Sequence, residues 1–465
     1  MKRIYIFRIT IFITILVIPI ITMNFKSNQI SEIDNKVLTE ASDIFNGDIT
    51  NNIETYLDER IGFRTIMINA YTQGMDYLFN YMVHPSYQYG KDGYVFGKLS
   101  TEDFNSEYQD IFSDFILKLQ NYCNDRNIDF LYSVEPSKAT VYSEFLPEGV
   151  NYKNYNTNYF LELLYQKNIN HVYTGEALID AKDEYQVFDK KYDANHWNET
   201  GAIIGVNAIL DKLNEMDSSI SKFSIDNYEL GIETNTTLPV SYFPINEKTT
   251  TYKLNNDNIK RINTFNSDNI QLSKNYSNFY HYINEENTTA PKVLFFAGSY
   301  FTENHKFLLE SFSEFILVHN YINILDFDYY INLFNPDIVI FESAEYTHSS
   351  TFFNQNSLSE AKYNKSLTSY SNLTNSHFTS LNGDFMLSDN GIVTYFSLPI
   401  TNNETLYSYA LIGNRILDCK TVTDENDQQY VQFSIPTSEL EHINSFTIYT
   451  ISNSESEYSE IKVSL

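Results

Sequence analysis

The chain has 465 residues, a formal net charge of −29, and 38 tyrosines and 34 phenylalanines against only 15 glycines and 10 prolines. That length points to two or three domains, and the aromatic content with few glycines and prolines reads as a globular chain, not a disordered one. The acidity disfavours nucleic acid, anionic lipid headgroups and strongly anionic polymers as partners, and a neutral or cationic partner fits better.

Lys2 and Arg3 precede a mostly apolar stretch from Ile9 to Met23. Counted from Ile4, the stretch can span a bilayer if Arg8 snorkels, and no small-x-small cleavage site follows it. The expectation is an uncleaved signal anchor over 1–24, basic end inside, with everything downstream extracytoplasmic. Residues 25–85 read as a polar tether (25–48) followed by a helical lead-in, with Ile53, Leu57, Ile61, Met67, Tyr71, Met75 and Leu78 at helix-like spacing.

The string Tyr89–Gly97 is a turn leading into a short strand. Phe104, Tyr108, Ile111, Phe112, Phe115, Leu119 and Tyr122 share one face of an amphipathic helix. An apolar strand, Ile128–Val134, ends at Glu135-Pro136-Ser137-Lys138. A helix around Tyr159–Gln166, a short strand near Val172 and a helix from Asn198 to about Leu213 follow. Residues 221–290, rich in Asn, Thr and Tyr, read as a β-rich insertion. Alternation then resumes, with strands at 293–297, 315–318 and 337–341 and helices near 303–311 and 326–334. The pattern over 86–364 predicts an α/β unit with a parallel sheet and helices on both faces.

From about 365 to 465 the texture changes to short alternating segments: Ile392–Pro399, Leu406–Ile412, Tyr430–Ile435 and Phe446–Ile451. They predict a separate antiparallel β-sandwich, a candidate carbohydrate-binding module. Tyr407, Tyr409 and Tyr430 would suit sugar stacking but read first as core or cross-strand residues. Cys123 and Cys419 have no framework spacing and are expected to be free, buried thiols.

The chemistry concentrates in two strings. Tyr192-Asp193-Ala194-Asn195-His196-Trp197-Asn198-Glu199-Thr200-Gly201 contains the only tryptophan and places a carboxylate three residues before a histidine. Such a carboxylate can fix the imidazole tautomer and stabilise its charged form. Val293-Leu294-Phe295-Phe296 runs into Ala297-Gly298-Ser299-Tyr300, a serine on a strand-to-loop turn, where α/β hydrolytic folds expose a nucleophile. Taken singly, Ser299 reads as a turn residue, His196 as a packed or surface residue, Asp193 as a helix cap and Trp197 as core; the combination carries the chemistry. The nine histidines are scattered, with no His-x-x-x-His pair and no Cys-x-x-Cys, and Gly-rich phosphate cradles are absent, so neither a metal nor a cofactor is expected.

Several segments in order resemble the alginate O-acetyltransferase-like (AlgJ/AlgX, DHHW) branch of the SGNH hydrolase superfamily. They are Asp58-Glu59-Arg60-Ile61-Gly62-Phe63-Arg64, Gly90–Phe96, Pro136–Tyr142 with Leu146-Pro147, Asp193–Gly201, Gly298-Ser299-Tyr300 and Pro336–Glu342, together spanning roughly residues 50–350. The resemblance implies a permuted SGNH-like doubly wound parallel sheet, with Ser299 as nucleophile, His196 as general base and Asp193 as its orienter. Two departures stand out. The family's acid lies two residues before the histidine, where this chain has Ala194, and the family's Gly-Asp-Ser reads Ala297-Gly298-Ser299 here.

The implied chemistry is ping-pong acetyl transfer through an acetyl-serine. The backbone N–H of Ser299 or of Tyr300 is the candidate oxyanion donor, and Lys138 and Trp197 join Tyr300 as candidate oxyanion or substrate residues. The implied partners are a polytopic membrane-bound O-acyltransferase as acetyl donor, a polysaccharide acceptor and a glycan synthase complex. The acidic balance points to a neutral glycan such as a cellulose-like polymer. The alternatives are a carbohydrate acetyl esterase using the same triad and a non-catalytic polysaccharide-binding adaptor of an acetylation complex.

Overall fold

The computed structural model describes residues 2–27, 29, 38–84, 86–99, 104–239, 243–370, 373–382, 385–400 and 405–465. Helix α1 (Lys2–Ile21) is long and apolar enough to cross a membrane, and none of its side chains is buried. Part of the stretch read as a tether, 28 and 30–37, lies outside the described residues. The rest of it is pinned: Arg60, at the end of α2 (Ile49–Arg60), is buried and donates to the carbonyls of Asn24, Lys26 and Thr39. The helical lead-in is two helices, because α3 (Arg64–Phe79) starts after a break at Gly62-Phe63. Gly62 donates its N–H to Pro19 O, and a Cβ there would lie 1.9 Å from Thr22 Oγ1, so only glycine fits this contact with the end of α1.

A small hairpin, Tyr87–Tyr89 with Val95–Gly97, precedes α4 (Ser106–Asn124). Asn105 caps α4 through the N–H of Tyr108, and Tyr108, Phe112, Phe115, Leu119 and Tyr122 are buried as the periodicity predicts. Phe104, placed on that face from sequence, lies before the helix and is exposed. The remaining α-helices among the described residues are α5 (Lys138–Val141), α6 (Tyr155–Gln166), α7 (Gly175–Ala181), α8 (Glu199–Met216), α9 (Phe327–Phe334) and α10 (Gln355–Glu360). The helix expected near 303–311 is instead two short 3₁₀ turns, Asn304–Phe307 and Leu309–Ser311.

The central sheet has seven strands: β1 (Asp129–Glu135), β2 (His171–Tyr173), β3 (Ile259–Arg261), β4 (Phe279–Asn284), β5 (Lys292–Ala297), β6 (Glu314–His319) and β7 (Ile338–Ala344). Their spatial order is β2-β1-β7-β5-β6-β4-β3. The first five run parallel, and β4 and β3 continue the sheet antiparallel. The insertion read over 221–290 is therefore only partly an insertion: its second half extends the main sheet, and its first half is a long separate hairpin, Tyr228–Thr237 with Pro244–Leu254.

Alternate strand residues bury on opposite faces. Val293, Phe295 and Ala297 of β5 pack with Trp197, Val206, Ile209 and Leu210 on one side. Leu294 and Phe296 pack with Phe112, Phe115, Leu119 and Phe160 on the other. Helix cover on both faces explains why β5 and β7 read as continuous apolar runs. Each fully buried Leu or Phe contributes roughly 1.5–3 kcal/mol.

The C-terminal region is one eight-stranded sheet: β8 (Thr374–Asn382), β9 (Met386–Asp389), β10 (Val393–Ile400), β11 (Thr405–Ile412), β12 (Arg415–Thr423), β13 (Gln429–Pro436), β14 (Ser445–Ser452) and β15 (Glu457–Ser464), in the order β8-β15-β14-β11-β12-β13-β10-β9. Where the sequence predicts two antiparallel sheets, a single strand joins the two halves: β12 pairs with β11 up to Cys419 and with β13 from Lys420. The halves share one core, with Phe396 of β10 and Phe446 of β14 at 5.1 Å between ring centroids. The edge strand β8 is parallel to β15. Tyr409 is fully buried and donates to Lys365 O, a core role. Cys123 and Cys419 are buried and unpaired.

This sheet is clamped to the α/β unit at Asp418. Its carboxylate takes Arg126 Nη2 at 2.7 Å, Arg126 Nε at 3.1 Å and the Tyr122 hydroxyl, while the Asn332 amide pairs with its backbone.

Candidate active site

Three loops leave the carboxyl ends of adjacent parallel strands: Pro136–Lys138 after β1, Glu345–Thr347 after β7, and Gly298–Tyr300 after β5. The crevice outside such strand ends is where open α/β sheets bind ligands. Ser299 is exposed there on the turn after β5, and the loop before α8 brings His196 and Asp193 to it. His196 Nε2 lies 2.8 Å from Ser299 Oγ, and His196 Nδ1 lies 2.8 Å from Asp193 Oδ2. Asp193 Oδ1 also accepts the N–H groups of Asn195 and His196 at 2.9 and 3.1 Å. The acid three residues before the histidine therefore reaches it, because the Asx turn closes over that spacing.

Charge favours this arrangement. Burial alone would raise the Asp193 carboxyl, but the His196 charge and three hydrogen bonds outweigh burial and hold it below its usual range. Burial alone would lower the His196 imidazole, but the Asp193 charge, the hydrogen bond to Asp193 and the charge of Glu342 hold it above its ordinary value. The N–H groups of Ser299 and Tyr300 make no hydrogen bond among the described residues, so both remain open as oxyanion donors.

The other candidate residues have different roles. Lys138, read as an oxyanion or substrate residue, is buried, and its ammonium donates to the carbonyls of Val95, Lys190 and Asp193 at 2.7, 3.2 and 3.3 Å. Burial pulls its pKa down to about 8, and the ammonium ties the hairpin to the histidine loop, while the residue also lines a cleft beside the site. Trp197 is also buried: its ring packs edge-on to Tyr300 and Phe301, and its Nε1–H donates to Tyr300 O at 3.2 Å. A Cβ at Gly205 would lie 2.3 Å from the indole, so α8 fits closely against it. The Tyr300 hydroxyl is engaged too, 2.7 Å from both Pro136 O and Asn195 O, which leaves only its backbone for the site.

Several supporting residues are not evident from the sequence. Tyr346 places its hydroxyl 3.5 Å from Ser299 Oγ. Glu247, on the long hairpin, accepts the consecutive N–H groups of Lys190, Lys191 and Tyr192 at 2.7, 2.8 and 2.6 Å, bracing the chain just before Asp193. Glu342 of β7 accepts the Gly298 N–H at 2.6 Å. Glu345 accepts Ser137 N–H at 2.9 Å and Asn154 Nδ2 at 2.8 Å, fixing the loop after β1. The signal available in the sequence is acid at the carboxyl ends of apolar strands, namely Glu135 after the β1 run and Glu342 after the β7 run. Beside the site opens a cleft of about 780 Å³ whose lining includes Asn195, Tyr346, Tyr152, Asn154, Tyr155 and Phe104. Among the described residues, no group of three or more His, Cys, Asp or Glu side chains is placed to hold a metal ion.

The fold and site together define an α/β protein with a Ser-His-Asp hydrogen-bonded chain at the carboxyl edge of its parallel strands. No family model matches the sequence, and no curated protein matches it. Solved structures to which the chain is similar include Bacillus cereus PatB1, at 18% identity over 56% of this chain and 96% of that one, with a TM-score of 0.43. The O-acetyltransferase domain of Pseudomonas putida AlgJ is 15% identical over 60% of this chain and all of that one, with a TM-score of 0.40. Pseudomonas aeruginosa AlgX is 13% identical over 75% of this chain and 86% of that one, with a TM-score of 0.39.

Proposed function

We propose that the protein is a membrane-anchored, extracytoplasmic O-acetyltransferase that passes acetyl groups to an exopolysaccharide through an acetylated Ser299. The observation that carries this reading is the unbroken chain Asp193–His196–Ser299, both links 2.8 Å, ending in an exposed hydroxyl beside a large cleft. In the first half-reaction His196 Nε2 takes the Ser299 proton, and Oγ attacks the acetyl carbonyl of the donor. The tetrahedral oxyanion is met by the Ser299 or Tyr300 N–H, and the leaving group departs with the proton from His196. In the second half, an acceptor hydroxyl gives its proton to His196, attacks the acetyl carbon and leaves as the ester, restoring Ser299.

The cleft beside Tyr346 is the natural place for the acceptor, since aromatic rings and amides suit polyhydroxylated chains. Helix α1 supports the anchor, and the resemblance to the alginate O-acetyltransferase-like branch supports transfer over hydrolysis. The test is to incubate the purified chain with an activated acetyl ester and neutral oligosaccharides. The reading expects an acetyl adduct on Ser299 and acetylated sugar. Hydrolysis without any sugar ester would make the protein a carbohydrate acetyl esterase, and no turnover or adduct at all would make it a binding adaptor.

A further inference from the structure

Behind the serine lies a pair of acids that the triad does not use. Glu342 on β7 and Glu135 at the end of the neighbouring β1 are both buried. Glu342 accepts the N–H of Gly298, the residue before the nucleophile, at 2.6 Å. Asn320, following β6, donates its amide to Glu342 O, joining the ends of β6 and β7 behind the turn. Among the described residues, Glu135 accepts only from Ser133 Oγ at 2.6 Å, and its other oxygen is buried with no hydrogen-bond partner. We propose that Glu342 is a positioning residue with two tasks: it anchors the nucleophile turn through Gly298, and its negative charge stabilises His196 in the imidazolium form that appears when Ser299 gives up its proton. This inference rests on the acyl-transfer reading above.

The two acids are not equivalent. Burial, with the charge of Glu342, pushes Glu135 well above the carboxylate range, so it holds a proton. Burial also raises Glu342, but the Gly298 N–H and the His196 charge oppose this and leave it at about 7, poised to ionise when the imidazole is charged. The titratable groups around Glu342 are Glu135 and Tyr132 on β1, His196 on the loop before α8, Tyr321 after β6 and Tyr346 after β7. The tyrosines are all raised and stay neutral. His196 and Glu342 are thus the pair whose charges are linked, each favouring the charged form of the other. At residue 298 it is the backbone N–H that Glu342 holds.

The test measures kcat/KM for p-nitrophenyl acetate, and the rate of inactivation by phenylmethylsulfonyl fluoride, against pH in the full-length protein. Glu342→Gln keeps an acceptor for Gly298 but loses the charge. It should move the acid limb of both profiles down by about one pH unit, since a less stabilised imidazolium loses its proton earlier. Glu135→Gln should leave the limb in place. Glu342→Asp keeps the charge but withdraws from Gly298, and should lower kcat about tenfold with KM and the limb unchanged. An unmoved limb in Glu342→Gln, with Ser299→Ala inactive, overturns this proposal alone. Should Glu342→Gln fail to fold, a Glu342→Asp protein with full kcat overturns it instead. Turnover and labelling that survive in Ser299→Ala sink the acyl-transfer reading, and this proposal with it.

Discussion

The two large sheets handle charge in opposite ways. The central sheet is apolar through its middle and carries buried acids at its carboxyl edge, Glu135, Glu342 and Glu345. In the C-terminal sheet, the buried charged residue among those described is Asp418, and it is neutralised by Arg126 from α4. Burying an ionisable group is costly unless it is paired or hydrogen-bonded. In the C-terminal sheet that cost is offset by a structural clamp between the two regions. In the central sheet it is spread over loops that hold a serine, a histidine and an aspartate within hydrogen-bond reach. Asp418 is matched by a cation, whereas Glu342 and Glu345 are held by backbone N–H and side-chain donors of the loops around Ser299.

This contrast can be broken at several points. Ser299→Ala should reduce ester turnover by roughly 10⁴-fold or more while leaving thermal unfolding unchanged, because the hydroxyl is exposed and packs against little. Asp193→Asn should cost nearly as much, on the order of 10³–10⁴-fold in kcat, and should also drop the acid limb of the pH profile. The sign follows from His196: its pKa is raised by Asp193, only the neutral ring accepts the serine proton, and so activity rises with pH through a point above 6.5 that falls when the charge is removed.

Arg126→Ala tests the other sheet. It leaves Asp418 buried without its cation and should destabilise the fold by about 3 kcal/mol in denaturant unfolding, with kcat for p-nitrophenyl acetate unaltered. A large loss of kcat there would show that the two regions are coupled in function. The smallest effect is expected for Glu247→Ala. Freeing the N–H groups of Lys190, Lys191 and Tyr192 should lower kcat about tenfold through looser placement of Asp193 and His196, with the pH limb preserved.

Much of the scaffold is legible from local pattern. The apolar runs at 128–134, 293–297 and 337–341 become β1, β5 and β7, and the periodicity of 106–124 becomes α4. Four C-terminal strands, β8, β9, β12 and β15, go unread from sequence, and the pairing of β12 with both halves of the sheet has no local signature. Lys138, on the loop after β1, and Trp197, next to His196, read from sequence as site residues. Sequence proximity does not reveal that the lysine's three hydrogen bonds all go to carbonyls, or that the indole sits against Gly205.

What the sequence determined by itself is whatever depends on neighbours along the chain: the apolar N-terminal helix, the strand and helix periods, and the Asp193–His196 pairing, which an Asx turn closes within four residues. What only the tertiary structure decided is which distant groups meet. His196 reaches Ser299 across 103 residues, Glu342 reaches Gly298 across 44, and Glu247 reaches Lys190 across 57. The physical reason is that a hydrogen bond's direction and its partner's burial are set by packing in three dimensions, and no spacing rule along the chain encodes them.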